Sequence, residues 1–194
     1  MHRQFRISSF LRIWCLKNNY STKRAIIYTD GSYIKGQGKG EDKDKGNGGI
    51  GIHFANGIHA DISENYSTWI DPVKFPPTSI RCELLAIYRT FSICLGKGID
   101  AEIHTDSLSS IDSIVRYGPM WNENGWFRLD GTPVKNIDLI MPLYLVHSRM
   151  NNQFIFKHVK AHQIENGLKG ETITQHMIGN SIADSLAKMG ARRE

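Results

Sequence analysis

Cysteine is scarce. The three in this 194-residue chain, Cys15, Cys82 and Cys94, show no metal-like spacing. Cys82 and Cys94 fall on one expected helix, ~18 Å apart along its axis. That separation is too long for a disulfide, so the chain reads as a reduced, intracellular protein. Apolar runs are short. None has the length needed to cross a bilayer, which excludes a membrane-spanning helix and a membrane partner. A Gly-Lys-Ser/Thr phosphate loop is also missing. The glycine- and lysine-bearing stretch 33–48 balances its lysines with Glu41, Asp42 and Asp44 and reads as a solvated loop.

Acids are absent from residues 1–24, although the chain as a whole carries a net charge of +5. Six of the 24 basic side chains lie in that segment: Arg3, Arg6, Arg12, Lys17, Lys23 and Arg24. Residues 25–194 therefore hold 18 basic against 19 acidic groups, a net charge of −1. The overall basicity belongs to a leader and says little about what the rest binds. With Phe5, Ile7, Phe10, Leu11, Ile13, Trp14 and Leu16 interspersed, residues 1–24 resemble a mitochondrial transit peptide; a disordered nucleic-acid-binding arm and an unstructured leader fit the same composition. The expected compartment is the mitochondrion or, failing that, the cytoplasm or nucleus. The remainder, 25–194, has the length of one domain.

Residues 25–32, Ala-Ile-Ile-Tyr-Thr-Asp-Gly-Ser, read as a strand running into a turn. Alternation puts Ile26, Tyr28 and Asp30 on one face. An uncompensated polar group there costs roughly 2–7 kcal/mol, and a lone charge more. Asp30 either opens an ordinary Asp-Gly turn or has a cation to face. Downstream, 49–54 alternates as a second strand, and Asn56-Gly57 is a strong hairpin signal. Ile58, Ala60 and Ile62 alternate on the expected return strand. Thr78 or Ser79 opens a helix with the stripe Ile80, Leu84, Ile87, Phe91 and Leu95, stopping at Gly96. Glu83 borders that stripe. A fourth strand, 101–107, ends in Thr105-Asp106-Ser107 and mirrors the first. A short helix through Leu108, Ile111, Ile114 and Val115 ends at Gly118-Pro119. Another helix spans about 136–150, with a kink expected at Pro142. A fifth strand covers 154–159. The last helix carries the stripe Ile178, Ile182, Leu186 and Met189, with Asn180 and Asp184 on one face.

This order predicts an α/β fold: a mixed five-stranded sheet, three antiparallel strands then two parallel, with helices on both faces. Two strand-end aspartates on neighbouring strands, Glu83 from a helix packed on the sheet and Asp184 from the last helix make four acids able to meet. Four gathered carboxylates repel one another unless cations neutralise them. Mg²⁺ prefers oxygen ligands and shares its shell with water and phosphate. Two such ions ~3.5–4 Å apart suit phosphodiester hydrolysis.

These stretches resemble the type 1 ribonucleases H of the RNase H-like superfamily. The matching motifs, in order, are Tyr28-Thr29-Asp30-Gly31-Ser32, Gly48-Gly49-Ile50-Gly51, Arg81-Cys82-Glu83-Leu84-Leu85-Ala86-Ile87, Thr105-Asp106-Ser107, Asn124-Gly125-Trp126 with Pro133-Val134-Lys135-Asn136, Val159-Lys160-Ala161-His162, and Gly179-Asn180-Ser181-Ile182-Ala183-Asp184. The resemblance implies an endonuclease that cuts the RNA strand of an RNA–DNA hybrid, leaving 3′-hydroxyl and 5′-phosphate ends. It implies the metal ligands Asp30, Glu83, Asp106 and Asp184, two Mg²⁺ ions (Mn²⁺ substituting), and His162 on a mobile loop for proton transfer or product release. His176 competes for that last role. Ser32, Asn47, Ser79, Trp126, Lys160 and Asn180 are the implied substrate contacts, and a monomer is expected.

The chain departs from the family pattern at several points. Ser79-Ile80 stands where a polar pair is expected, Leu108 replaces a glutamine, Ala161 replaces a glycine, and the segment around Trp126 is poor in basic residues. The loop from His162 to Asp184 is longer than usual. No room is left for the separate N-terminal hybrid-binding domain of many eukaryotic relatives. The departures keep two alternatives open: a nuclease of the same fold acting on DNA or structured RNA, or a non-catalytic nucleic-acid-binding relative.

Overall fold

The computed structural model describes residues 24–36, 46–150, 152–160 and 174–193. The leader expected over 1–24 lies outside them except for Arg24, whose guanidinium donates to the carbonyls of Asn152 and Gln153.

Five strands form one sheet: β1 Ala25–Ile34, β2 Asn47–Phe54, β3 Ile62–Asn65, β4 Ala101–Thr105 and β5 Phe154–His158. Their spatial order is β3-β2-β1-β4-β5. β1 pairs antiparallel with β2, and β2 with β3, as hairpin-scale connections require. β1–β4 and β4–β5 are parallel, each reached through a helical crossover. The mixed sheet expected from the order of elements is therefore present.

The return strand of the hairpin is shorter than its alternation suggests. β3 begins at Ile62, and Ile58 and Ala60 lie in the turn. The Asp61 carboxylate replaces the missing ladder: one oxygen accepts from the Phe54 amide at 2.9 Å and the other meets His53 Nδ1 at 2.8 Å.

Five helices follow: α1 Ser79–Lys97, α2 Leu108–Ile111, α3 Gly118–Glu123, α4 Ile137–Arg149 and α5 Gln175–Ala191. Thr78 caps α1, its hydroxyl accepting from the Arg81 amide. The helix runs through Gly96 and stops at Gly98, which adopts the left-handed conformation at φ 65°. Gly118-Pro119 starts α3 rather than ending the preceding helix, because a proline in the first turn needs no amide partner. A π turn, Asp112–Arg116, joins α2 to it. Pro142 lies inside α4. Among the described residues no helix is long and apolar enough to cross a membrane.

α1 lies on one face of β1 and β2, with α4 packed against it. Ile27, Ile50, Leu84, Ile87, Phe91, Ile103, Leu143 and Phe154 fill this side. Buried Arg81 locks α1 to the start of α4. Its guanidinium reaches both Asp138 oxygens at 2.9 and 2.6 Å, and the Tyr66 hydroxyl at 2.7 Å.

α5 covers β1, β2 and β3 on the opposite face, and it does so on an unexpected side. Ile178 and Met189 are about half exposed, whereas Gly179, Ala183, Ala187, Gly190 and Ala191 are buried. The reason is the surface beneath. A Cβ on Gly51 would overlap the Ala183 carbonyl and sit 2.5 Å from the Ala187 nitrogen. Backbone lies on backbone here, so the buried stripe must be small rather than large.

Candidate active site

β1 delivers Asp30 to the edge of the α5-covered face, where it is buried beside Thr29. The next residue sets the distance to α1. A Cβ on Gly31 would overlap the Glu83 nitrogen and sit 2.5 Å from the Cys82 carbonyl carbon. Only glycine admits this approach, which carries Glu83 up to Asp30. β4, the parallel neighbour of β1, brings Asp106 just past its C-terminal end. Single carboxylate oxygens of Asp30, Glu83 and Asp106 all lie within 4.8 Å of one another.

The electrostatics reflect this crowding. Burial first, then repulsion from Asp106 and Asp184, lifts the Asp30 carboxyl to about 7. Burial, then Asp30 and Asp106, holds the Glu83 carboxyl well above the usual range. The two carboxyls adjoin, and the nearby Gly31 amide opposes the rise at both. The second Glu83 oxygen is buried without a partner among the described residues. A group of hard oxygen donors with surplus negative charge and an unpaired oxygen fits a divalent cation.

Asp184 does not join the tight group of three. It is close enough to raise the Asp30 pKa, but one of its oxygens is held by Lys188 at 2.7 Å, one helical turn on. Asn180, a turn earlier on the same face of α5, is buried and donates to Asp106 at 3.4 Å. Its amide oxygen is buried and has no partner among the described residues. The helical spacing of Asn180 and Asp184 was visible in sequence; the amide-to-Asp106 contact was not, since it crosses 74 residues.

The expected substrate contacts are dispersed. Ser32 is half-buried on β1, Asn47 is exposed at the start of β2, and Ser79 is exposed at the start of α1. Trp126, at φ 68°, packs edge-on against Tyr144 of α4 with ring centroids 5.8 Å apart. Lys160 is exposed beyond β5. His162 lies outside the described residues. His176 sits in the first turn of α5, with Nδ1 2.8 Å from the Tyr28 hydroxyl and its ring stacked on His104 at 4.7 Å. His104, on β4, is 3% exposed. Burial holds its pKa below the ordinary value, opposed by the Glu102 hydrogen bond. Cys82 and Cys94 are free and buried.

The RNase H family model matches residues 22–192. A protein of Acanthamoeba polyphaga mimivirus named "Probable ribonuclease H" is 33% identical over 150 residues, 75% of this chain and 58% of that protein. The ribonuclease H of Schizosaccharomyces pombe is 30% identical over 168 residues, 87% of this chain and 53% of its own length. The matched parts thus span just over half of these relatives. Among solved structures, the PFV RNase H domain superposes with a TM-score of 0.63 at 23% identity, covering 87% of this chain and 94% of that one. A foamy viral protease-reverse transcriptase in complex with dsDNA gives a TM-score of 0.65 at 23% identity, with the same coverages. Both share the fold described above.

Proposed function

As this chain belongs to the RNase H family, we propose that it hydrolyses the RNA strand of RNA–DNA hybrids endonucleolytically, acting as a monomer with two Mg²⁺ ions. The observation that carries this reading is the trio Asp30, Glu83 and Asp106, three carboxylates within 4.8 Å with one buried oxygen unpaired. Asp30, Glu83, Asp106 and Asp184 would hold the cations; when bound, these neutralise the scissile phosphate and lower the pKa of the attacking water. Burial and acidic neighbours raise both Asp30 and Glu83, so protons must leave the pair before it can serve as ligands. Asn180 occupies one Asp106 oxygen and keeps that side chain from swinging away. Lys188 pairs with one Asp184 oxygen at 2.7 Å and fixes that side chain on its helix. His162 is assigned the proton transfer or product release that the family motif implies. His176 is already engaged with Tyr28 and His104.

Discrimination for RNA would rest on the 2′-hydroxyl, read across the minor groove. Ser79 and Ile80, standing where the family pattern has a polar pair, favour a second reading: a nuclease acting on DNA or structured RNA. One assay separates the two. End-labelled RNA–DNA, RNA–RNA and DNA duplexes are incubated with Mg²⁺ and either wild type or Asp106→Asn. The expected result is cutting of the RNA strand of the hybrid alone, with 3′-hydroxyl and 5′-phosphate ends, reduced roughly a hundredfold or more in the variant. Equal cutting of all duplexes favours the second reading, and no cutting of any favours a non-catalytic relative.

The basic leader is assigned a targeting role outside catalysis, with the mitochondrion as the destination its composition favours. Truncation after Lys23 is expected to leave turnover within about twofold. Arg24 is kept because it holds the carbonyls of Asn152 and Gln153. A tenfold loss in the truncated protein would show that the leader takes part in the reaction.

A further inference from the structure

Among the described residues, α5 covers three strands of its face and leaves the other two open. It packs on β1, β2 and β3 and scarcely touches β4. Parallel register places Glu102 beside Ile155 and His104 beside Lys157, so these residues share a sheet face. Between that uncovered floor and the start of α5 lies a cavity of about 500 Å³. Its lining includes Glu102, His104, Lys157, His158, Lys160 and His176. The single acid, Glu102, is already held by His104 Nε2 at 2.8 Å. Lys157, Lys160 and His176 line the rest of the space among the described residues. When Tyr28 donates its hydroxyl proton to His176 Nδ1, the ring's own N–H is at Nε2 and serves as a donor. The N-terminus of the 17-residue α5 adds its positive dipole end.

This chemistry selects an anion over the other occupants a cavity could take. A metal is disfavoured, because the His104 and His176 rings lie stacked and nearly parallel, 17° apart, and parallel stacked imidazoles cannot both aim a lone pair at one ion. An apolar ligand would leave two ammonium groups without a counter-charge among the described residues. The cavity also adjoins the acidic centre directly, since His158 Nε2 donates to the Asp106 carbonyl at 3.2 Å.

Building on the hybrid-cleavage reading, we propose that this cavity is a phosphate subsite, taking a backbone phosphodiester of the RNA–DNA hybrid beyond the scissile one. Lys157 and Lys160 supply the charge, His176 Nε2 supplies a directed hydrogen bond, and Tyr28 fixes its orientation. The subsite places part of the affinity for backbone on β5 and α5, on a side of the sheet where the basic-poor segment around Trp126 contributes nothing.

The test is hybrid binding to the full chain with Ca²⁺ in place of Mg²⁺, across a salt series, for wild type, Lys157→Gln, Lys160→Gln and the double variant. Lys97→Gln, an exposed lysine at the far end of α1, is the control. The double variant is expected to bind roughly tenfold more weakly at low salt and to lose about one unit of slope in log K against log salt, with the loss appearing in KM. Lys97→Gln keeps the wild-type slope. Wild type that cuts hybrid while the double variant keeps the full slope overturns the subsite alone; wild type that neither binds nor cuts hybrid overturns both readings. A parallel titration with inorganic phosphate and AMP separates the sources. If either shifts the His176 ring resonance in wild type but not in the double variant, while hybrid affinity ignores both lysines, the cavity holds a free phosphate ligand and the assignment to hybrid backbone fails.

Discussion

Replacing Asp30 by asparagine is expected to abolish hybrid cleavage and to make the metal-free protein more stable at alkaline pH. The two effects share a cause. Asp30 is buried at the meeting point of Glu83, Asp106 and Asp184, and burial and repulsion together lift its pKa to about 7. In the unfolded chain the same carboxyl titrates near 4. Between those values the native state holds more protons than the unfolded state, so stability falls as pH rises through the window. Glu83 is raised in the same direction and deepens the fall. Asparagine removes one charge and relieves three others. In EDTA at pH 8 the variant is expected to gain about 2–4 kcal/mol over wild type, and to gain almost nothing at pH 4. Divalent cations act in the opposite sense, stabilising wild type more at pH 8 than at pH 5, since their ligands must be deprotonated. Loss of a central cation ligand removes several kcal/mol of transition-state stabilisation, roughly a thousandfold or more in turnover. Urea unfolding from pH 4 to 9, with and without Mg²⁺, reads the first effect, and single-turnover cleavage reads the second. Parallel pH curves for the two proteins would contradict the electrostatic account.

The sequence carries the fold through period and punctuation. Alternation marks β1, β2 and β4, the Ile80–Leu95 stripe marks α1, and the order of elements forces two strands to be parallel. It carries three of the acids for a local reason: each stands at the end of a strand or on the buried side of a helix, where a charge is out of place. It conceals whatever depends on backbone meeting backbone. Periodicity assigns the large residues of α5 to the core, yet Ile178 and Met189 face outward. The helix sits on Gly49 and Gly51, and a surface of glycine accepts only small partners. The hairpin fails similarly, because Asp61 takes over the work of a ladder that alternation would extend to Ile58. The ring stack of Tyr28, His104 and His176 joins β1, β4 and α5 and has no signature in any one of them. The Asp184–Lys188 pair is the opposite case: the partner lies one turn away on the same helix and is legible in the i,i+4 spacing.

Gly31→Ala is expected to cost more catalysis than stability, and this is the sharpest test of how the centre is assembled. The added Cβ meets the Glu83 nitrogen and the Cys82 carbonyl carbon. Both are backbone atoms inside α1, so no side chain can rotate away. β1 and α1 must separate, and overpacking of this kind costs about 1–3 kcal/mol. A domain of this size survives such a loss well below its melting temperature. The geometry of the centre survives less well. Glu83 rides on the helix that is displaced, Asp30 on the strand that stays, and Gly31 lies between them at the point of strain. A shift of ~1 Å between catalytic groups costs roughly a hundredfold in turnover. Gly96→Ala provides the contrast. It lies in the last turn of the same helix with open space around its Cβ position, so alanine there should stabilise by about 0.5–1 kcal/mol and leave turnover intact. The two variants add one methyl group each to α1 or the strand beneath it, and only the first stands between the carboxylates. If Gly31→Ala loses no more turnover than its change in folded population explains, then close approach of β1 to α1 is a packing feature and the Asp30–Glu83 pairing tolerates slack. If turnover falls a hundredfold while the protein remains folded, the absence of one side chain at residue 31 is what holds two acids together.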